Sequence, residues 1–169
     1  GVVAQDSYVS LTASVVFKKQ IYVAHTGNTR LYLARENKDP LLLTTDYGPS
    51  DQSARFLGIG HDVKIDLITT SPSLDLRVRG GDQIVLCSDG LDGGIAKSAE
   101  LVDKGKLIEM KEALKESTVE GAARRLVTFP MGRNVADNMS VIVLRLPGGT
   151  GEFRKMLPVI AAVGAAAIV

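Results

Sequence analysis

A chain of 169 residues, 45% of them hydrophobic, is long enough for one domain with a buried core, or for one domain and an appendage. The formal net charge of +1, and the lack of a Lys/Arg run interleaved with aromatic residues, exclude nucleic-acid binding as a leading function. The single cysteine, Cys87, excludes an internal disulfide framework and is typical of a reducing compartment. Residues 1–6 contain neither an initiator Met nor a basic region, so we expect an internal start rather than a signal peptide.

The first half of the chain has the alternating apolar pattern of strands separated by turn signals. The predicted strands are residues 11–17, 21–25, 30–35, 41–44 and 63–68. In the last of these, the alternation places Lys64 and Asp66 on the solvent side. Gly80-Gly81-Asp82 predicts a tight turn before a further apolar strand over residues 83–87.

Helical periodicity appears only in the second half of the chain. Apolar residues recur at helical spacing over residues 99–115, with Gly105 as an expected break. Ser117 and Glu120 have the spacing of a capping box at the start of a second helix. A final strand is predicted over residues 139–144. Strands, then two helices, then a last strand indicate an α+β fold with an antiparallel sheet system.

The C-terminal residues 157–169 carry no charge and follow a Gly/Pro-rich basic linker at 147–156. A membrane span needs about 20 apolar residues, and this stretch has fewer. Two interpretations are open: the start of a transmembrane helix, or an Ala-rich helix buried against the domain. The linker and the lack of a polar helix face favour the first. Arg154 and Lys155 would then place the preceding domain on the cytoplasmic side.

Two aspartates stand at predicted strand ends. Asp89 comes shortly after the strand over residues 83–87, and Asp137 comes shortly before the strand over residues 139–144. Two such carboxylates can converge on a divalent cation, because a sheet fixes their positions while the turns leave an open coordination face. The alternative is that both are ordinary turn residues, and either turn taken alone favours that interpretation.

Five short segments, in this order, resemble motifs of the metal-dependent Ser/Thr protein phosphatases of type 2C. They are residues 21–33 (IYVAHTGNTRLYL), 43–47 (LTTDY), 55–58 (RFLG), 80–91 (GGDQIVLCSDGL) and 134–143 (NVADNMSVIV). Together they span most of the chain before the linker. The bacterial branch fits best, since a membrane span follows the phosphatase domain in many of its members.

The resemblance implies an α+β fold, a four-layer α-β-β-α sandwich of two antiparallel sheets flanked by helices. This domain would occupy residues 1–146 and lack its N-terminal part. The resemblance also implies two Mn²⁺ or Mg²⁺ ions, with a bridging water or hydroxide that attacks phosphorus in line. The partners would be phosphoserine and phosphothreonine proteins, with a cognate Ser/Thr kinase as a candidate. We expect a location at the cytoplasmic face of a membrane, through residues 157–169.

The same resemblance assigns roles to individual residues. Asp89 and Asp137 would be metal ligands, and no side chain is assigned as a direct catalytic residue. Gly90 would allow the tight turn beside Asp89, while Asn138 and Asn28 would orient the ligands. Asn28 replaces an aspartate that helps to bind an additional metal in the family. The family's first metal-binding aspartate and its phosphate-binding arginine lie upstream of the segments matched, so the chain carries half of the ligand set.

A second function remains open, that of a catalytically degraded homologue acting as a regulatory or binding module. Asn28 favours it, and so does Gly93, which stands where the family's SDGLTD motif ends in Asp, since that trailing Asp is shifted by one residue to Asp92. The retained Asp89 and Asp137 favour an enzyme. A third interpretation, a β-rich membrane-anchored sensor domain, requires all five motif matches to be coincidence.

Other candidate residues have simpler explanations. Cys87 lacks the arginine that follows a phosphatase nucleophile at the C-x5-R spacing, so we expect a buried strand thiol. His25 and His61 do not have zinc-type spacing, and His25 is predicted to be structural.

Overall fold

The computed structural model describes residues 7–47, 55–58, 63–91, 104–128, 139–148 and 159–168. Within these ranges the chain forms two four-stranded sheets and two α-helices. The strands are β1 (Ser7–Phe17), β2 (Gln20–Thr26), β3 (Arg30–Ala34), β4 (Leu41–Leu42), β5 (Asp66–Ile68), β6 (Gln83–Cys87), β7 (Val141–Arg145) and β8 (Val159–Ile168). The helices are α1 (Lys104–Ala113) and α2 (Val119–Thr128).

Both sheets are antiparallel, so the predicted α+β class with two antiparallel sheets is confirmed. The first sheet has the order β5-β2-β1-β8 and the second the order β4-β3-β6-β7. β1 and β2 form a hairpin whose two-residue loop, Lys18 and Lys19, has φ values of 49° and 65°. Positive φ at both loop positions matches the right-handed twist of the flanking strands.

The second sheet is covered on both faces, which explains why β3 is buried along its whole length. One face packs against the first sheet. Its contributors to that core are Leu31, Leu33, Ile84 and Leu86, with Val16, Ile21 and Val23 from the first sheet. The other face packs against the helices. Its contributors there are Tyr32, Val85 and Cys87, with Met110, Ala113, Ala122 and Leu126 from α1 and α2.

The space between the sheets changes in character along β1. At one end Val16 packs among aliphatic side chains of both sheets. Toward the other end the buried residues of β1 are the hydroxyl residues Ser14, Thr12 and Ser10. Since Leu11 pairs with Thr26, the polar end lies where β2 leads into β3, and the candidate site is at this end.

The start of α2 differs from the predicted capping box by one residue. The hydroxyl of Thr118, and not that of Ser117, accepts a hydrogen bond from the backbone N–H of Gly121 at 3.0 Å. Glu120 instead accepts from the Arg124 guanidinium at 2.8 Å. The cap moves because the helix begins at Val119, directly after Thr118. Gly105 is the second residue of α1, and residues 99–103 lie outside the described residues, so the predicted break there stays a prediction.

The predicted orientation of Asp66 on β5 is also wrong. Its carboxylate accepts hydrogen bonds from the Tyr47 hydroxyl at 2.7 Å and from Arg55 Nη1 at 2.8 Å. The next residue, Leu67, is 77% exposed. Because β5 has only three residues, this ion pair rather than the apolar alternation decides which face is turned inward.

The C-terminal segment is not the helix that its apolar composition predicted. Residues 159–168 form β8, which pairs with β1 from Val16↔Val159 to Ser7↔Ile168. The free edge of β1 offers backbone groups that need partners, and an extended segment can satisfy them. Among the described residues, no helix is both long enough and apolar enough to cross a membrane. The domain and linker boundaries at residues 146 and 156 remain predictions.

Candidate active site

The candidate site lies where β6 ends and β3 begins. Cys87, the last residue of β6, pairs with Arg30, the first residue of β3. Asp89 follows β6 in a single 3-10 turn, Asp89–Leu91, and Asn28 stands shortly before β3. The Asn28 side chain donates from Nδ2 to Asp89 Oδ2 at 2.7 Å. Two of the predicted site residues are therefore in direct contact, although they are far apart in sequence.

The strand β7 enters at the same end. The Ser88 N–H donates to the Ser140 carbonyl at 3.0 Å, and the Ser140 N–H donates to Ser88 Oγ at 3.0 Å. These two bonds attach the residue before Asp89 to the segment leading into β7. Asp137 and Asn138 lie outside the described residues, so their predicted roles stay predictions.

Gly90 lies in the 3-10 turn beside Asp89 and is buried. Its φ is not in the left-handed region, which among described glycines is adopted by Gly27, Gly58 and Gly81. Beside the site, the left-handed conformation is found at Gly27, next to Asn28, and not at Gly90.

Ser10 on β1 is a site residue that the sequence analysis did not identify. Its hydroxyl donates to Asn28 Oδ1 at 2.6 Å and accepts from the Asn28 backbone N–H at 3.1 Å. The available signal was the alternation of Ser10, Thr12 and Ser14 with apolar residues along β1, since small hydroxyl residues at every second position mark one face of a strand.

Gly27 explains why β1 and the Asn28 turn can approach so closely. Its φ is +93°, and a Cβ atom there would lie 2.2 Å from Ser10 Oγ and 2.7 Å from Ser10 Cα. A side chain at this position would therefore be strained and would displace the Ser10 backbone.

His25 is structural, as predicted. It is 1% exposed. Its Nε2 donates to the Thr45 carbonyl at 2.8 Å, and Nδ1 lies 2.8 Å from the Thr12 hydroxyl, which also bonds to Thr29 Oγ1 at 2.7 Å. Burial lowers the pKa of His25, and the Thr45 carbonyl and the charge of Asp66 only partly oppose this effect. The ring is held neutral within a hydroxyl network beneath the site.

Cys87 is a buried strand thiol, also as predicted. It is 1% exposed, and burial raises the pKa of its thiol to about 12. A thiol with such a pKa remains protonated at neutral pH and is a poor nucleophile.

An ion pair anchors the start of β3 next to the site. The Asp46 carboxylate accepts from Arg30 Nε, which lies 3.0 Å from both carboxylate oxygens, and from Arg30 Nη2. Both side chains are almost fully buried. A buried pair of this geometry is costly to break, because the remaining charge would be left unpaired in a low-dielectric environment. It therefore fixes the backbone that carries Asn28.

The described residues include one of the two predicted metal ligands, Asp89. Asp89 has the oxygen chemistry that Mn²⁺ and Mg²⁺ prefer. Asn28, however, turns its nitrogen and not its oxygen toward that carboxylate. Among the described residues, no three His, Cys, Asp or Glu side chains are grouped so that they could hold a metal ion. The described residues alone therefore do not fit a binuclear centre.

The chain has the fold of bacterial serine/threonine phosphatases of type 2C. It is similar to the Mycobacterium tuberculosis serine/threonine phosphatase PstP/Ppp, with 27% identity and a TM-score of 0.58, over 82% of this chain and 60% of that one. It is also similar in fold to a bacterial serine phosphatase, with 21% identity and a TM-score of 0.60, over 81% of this chain and 57% of that one. The match to PppA of Pseudomonas aeruginosa has 22% identity and a TM-score of 0.54, over 76% of this chain and 54% of that one.

The chain spans 60% or less of the length of these solved structures. No protein-family model matches the chain, and no curated protein matches it in sequence.

Proposed function

We propose that this chain is part of a metal-dependent phosphatase that hydrolyses phosphoserine and phosphothreonine in proteins. The observation that carries the proposal is the similarity in fold to a serine/threonine phosphatase at 27% identity over 82% of the chain. The position of Asp89 supports it, because a carboxylate at the end of a central strand is held by a rigid sheet and faces the turn that carries Asn28.

In this proposal Asp89 and Asp137 are ligands of Mn²⁺ or Mg²⁺, two ions in all, with further ligands from outside this chain's described residues. The ions would supply an activated bridging water and neutralise charge on the phosphate oxygens. The chain's own contribution is positional. Asn28 holds the Asp89 carboxylate by a hydrogen bond, Gly90 continues the turn, and Asn138 would orient Asp137.

The proposed partners are phosphorylated proteins, with a cognate Ser/Thr kinase as the enzyme that supplies them. The location at the cytoplasmic face of a membrane stays a prediction from sequence, but the segment from which it was inferred contains strand β8, residues 159–168, rather than a helix. Cell fractionation of the natural protein tests it, and recovery in the soluble fraction alone would contradict it.

The first prediction is that phosphate release from a phosphothreonine peptide depends on Mn²⁺ and on both aspartates. In the full-length natural protein, Asp89→Asn and Asp137→Asn should each reduce turnover by more than the roughly 10–100-fold typical of residues that only support a ligand. Asp39→Asn is the matched control, because Asp39 is exposed and paired with Lys111 at the opposite end of the second sheet. Turnover that survives removal of all divalent ions would contradict the metal mechanism.

The alternative is a regulatory or binding module that has lost catalysis. The Asn28 amide favours it, because it gives Asp89 a hydrogen-bond donor where a further ligand would be needed for an additional ion. A folded wild-type protein without turnover at saturating Mn²⁺ would support this alternative over the enzyme. Circular dichroism establishes folding in that comparison.

A further inference from the structure

We propose that Ser10 is a positioning residue of the candidate active site, acting on Asp89 through the side-chain amide of Asn28. The proposal rests on the proposed function of the site, but its contacts can be tested without any turnover.

The three hydrogen bonds determine one another's direction. The Asp89 carboxylate only accepts, so the NH₂ group of Asn28 must face it. The Oδ1 atom of Asn28 then faces Ser10 and requires a donor, which is the Ser10 hydroxyl at 2.6 Å. The same hydroxyl oxygen accepts a hydrogen bond from the Asn28 backbone N–H at 3.1 Å, and this contact leaves its single proton available for Oδ1. In this arrangement every bond joins a donor to an acceptor, and Ser10 Oγ serves once as each.

Ser10 is well placed to impose this orientation. It is 3% exposed and lies on β1, which is hydrogen-bonded to β2 on one side and to β8 on the other. It binds Asn28 at both the backbone and the side chain, and the absence of a side chain at Gly27 allows the close approach. Ser10 thus transmits the rigidity of the first sheet to a residue of the turn.

The Asp89 carboxylate favours the nitrogen end of the Asn28 amide, and the Ser10 hydroxyl is the contact that holds the oxygen end. The oxygen and nitrogen have nearly the same size, so a half-turn about the terminal bond costs little sterically. The half-turn would place Oδ1 against Asp89 Oδ2, and two acceptors at that distance repel. Ser10 therefore adds a second bond that keeps the nitrogen of Asn28 turned toward Asp89, and without it the amide is held at one end only.

The test compares Ser10→Ala with Ser14→Ala in the full-length natural protein. Ser14 is a matched control, because it is the same residue type, on the same face of the same strand and equally buried, but it lies further along β1 from the turn that carries Asn28. The first readout is the ¹⁵N NMR signal pair of the Asn28 side-chain amide, assigned by its loss in Asn28→Asp. We expect slow hydrogen exchange of this pair in wild type and in Ser14→Ala, and fast exchange in Ser10→Ala.

The second readout is the Mn²⁺ dissociation constant from calorimetry. Ser10→Ala should weaken Mn²⁺ binding by roughly 10–100-fold, as expected for a residue that orients a ligand. In an Asn28→Ala background the same change should have no further effect, because its influence passes through Asn28. Ser10→Cys, which keeps the side-chain shape with a weak donor, is a second variant that tests the same bond if the alanine variant is unstable.

Unchanged amide exchange in a folded Ser10→Ala variant would overturn the proposal. An equal loss of Mn²⁺ affinity in the wild-type and Asn28→Ala backgrounds would overturn it as well, because Ser10 would then act by another route. A wild-type protein that neither binds Mn²⁺ nor releases phosphate would overturn the proposed function instead, and the amide exchange would still decide the role of Ser10.

Discussion

At the residue scale, the protonation of His25 is coupled to folding. The neutral ring suits its neighbours: Nε2 donates to the Thr45 carbonyl, and Nδ1 accepts from the Thr12 hydroxyl. If Nδ1 were also protonated, the Thr12 hydroxyl would have to accept from it rather than donate to it. The resulting positive charge would lie in a buried site where it is poorly solvated. The pKa of His25 is therefore below its ordinary value of 6.5 in the folded protein.

This lowered pKa predicts that the protein loses stability as the pH falls. Below pH 6.5 His25 becomes protonated in the unfolded chain, while it stays neutral to a lower pH in the folded chain. The free energy of unfolding therefore decreases as the pH falls. Above that pH both states are neutral, and the contribution is complete. Urea unfolding between pH 5 and 8 measures the effect, and His25→Gln should reduce the slope.

The control for this experiment is His61→Gln, which removes the other of the two histidines of the chain. An equal pH dependence in wild type and His25→Gln would show that other groups dominate acid sensitivity.

At the element scale, the start of α2 shows how a single hydroxyl defines a helix boundary. Thr118 accepts from the Gly121 N–H, one of the donors that a helix N-terminus leaves without an intrahelical partner. Ser117 stands one residue earlier, and its backbone carbonyl accepts from Arg145 Nη1 of β7 at 2.8 Å. Thr118 thus caps the helix through its side chain, whereas Ser117 makes its contact with β7 through its backbone.

We predict that Thr118→Ala lowers the free energy of unfolding by about 1 kcal/mol, the usual cost of losing an N-cap. Ser117→Ala should cost less than about 0.5 kcal/mol, since its backbone carbonyl, which makes the contact with Arg145, is retained. Urea unfolding of both variants checks the difference. A larger effect from Ser117→Ala would support the capping box expected from the sequence.

The elements that sequence predicts well are those whose local pattern and tertiary environment agree. The strands, the turn between β1 and β2, and the place of Asp89 after β6 follow from alternation and turn residues, whereas the two-sheet arrangement is what the resemblance to the phosphatase family implied. Ser10 is not visible in this way, because its importance depends on Asn28, which reaches it through folding. The same holds for Asp66, whose side of β5 is set by Arg55.

At the scale of the whole molecule, β8 changes the role of β1. With β8 in place β1 is an inner strand, whereas without it β1 would be the edge of the first sheet. Residues 159–168 consist of Val, Ile, Ala and Gly, so apolar composition alone could not distinguish this strand from a membrane helix. What distinguishes the two possibilities is the neighbouring strand β1, whose backbone hydrogen-bonding groups β8 pairs with.

The pairing of β8 with β1 predicts an alternating response to proline. In an antiparallel pair, successive N–H groups point alternately toward the partner strand and away from it. Of Ala161→Pro and Ala162→Pro, one should therefore lower the melting temperature strongly, and the other only slightly, because it removes an outward-facing N–H. Thermal unfolding monitored by circular dichroism measures both. Equal melting temperatures would contradict this pairing.

The interior between the sheets is aliphatic at one end of β1 and hydrogen-bonded at the other, and this difference predicts which positions tolerate substitution. Around Val16 the contacts are non-directional, and exchange among aliphatic residues of similar volume preserves them. Around Thr12, whose hydroxyl bonds to His25 and Thr29, even the isosteric valine would remove a bond that the network needs. One strand thus carries a tolerant half and an intolerant half, and divergence among related chains should accumulate at the end away from Asp89.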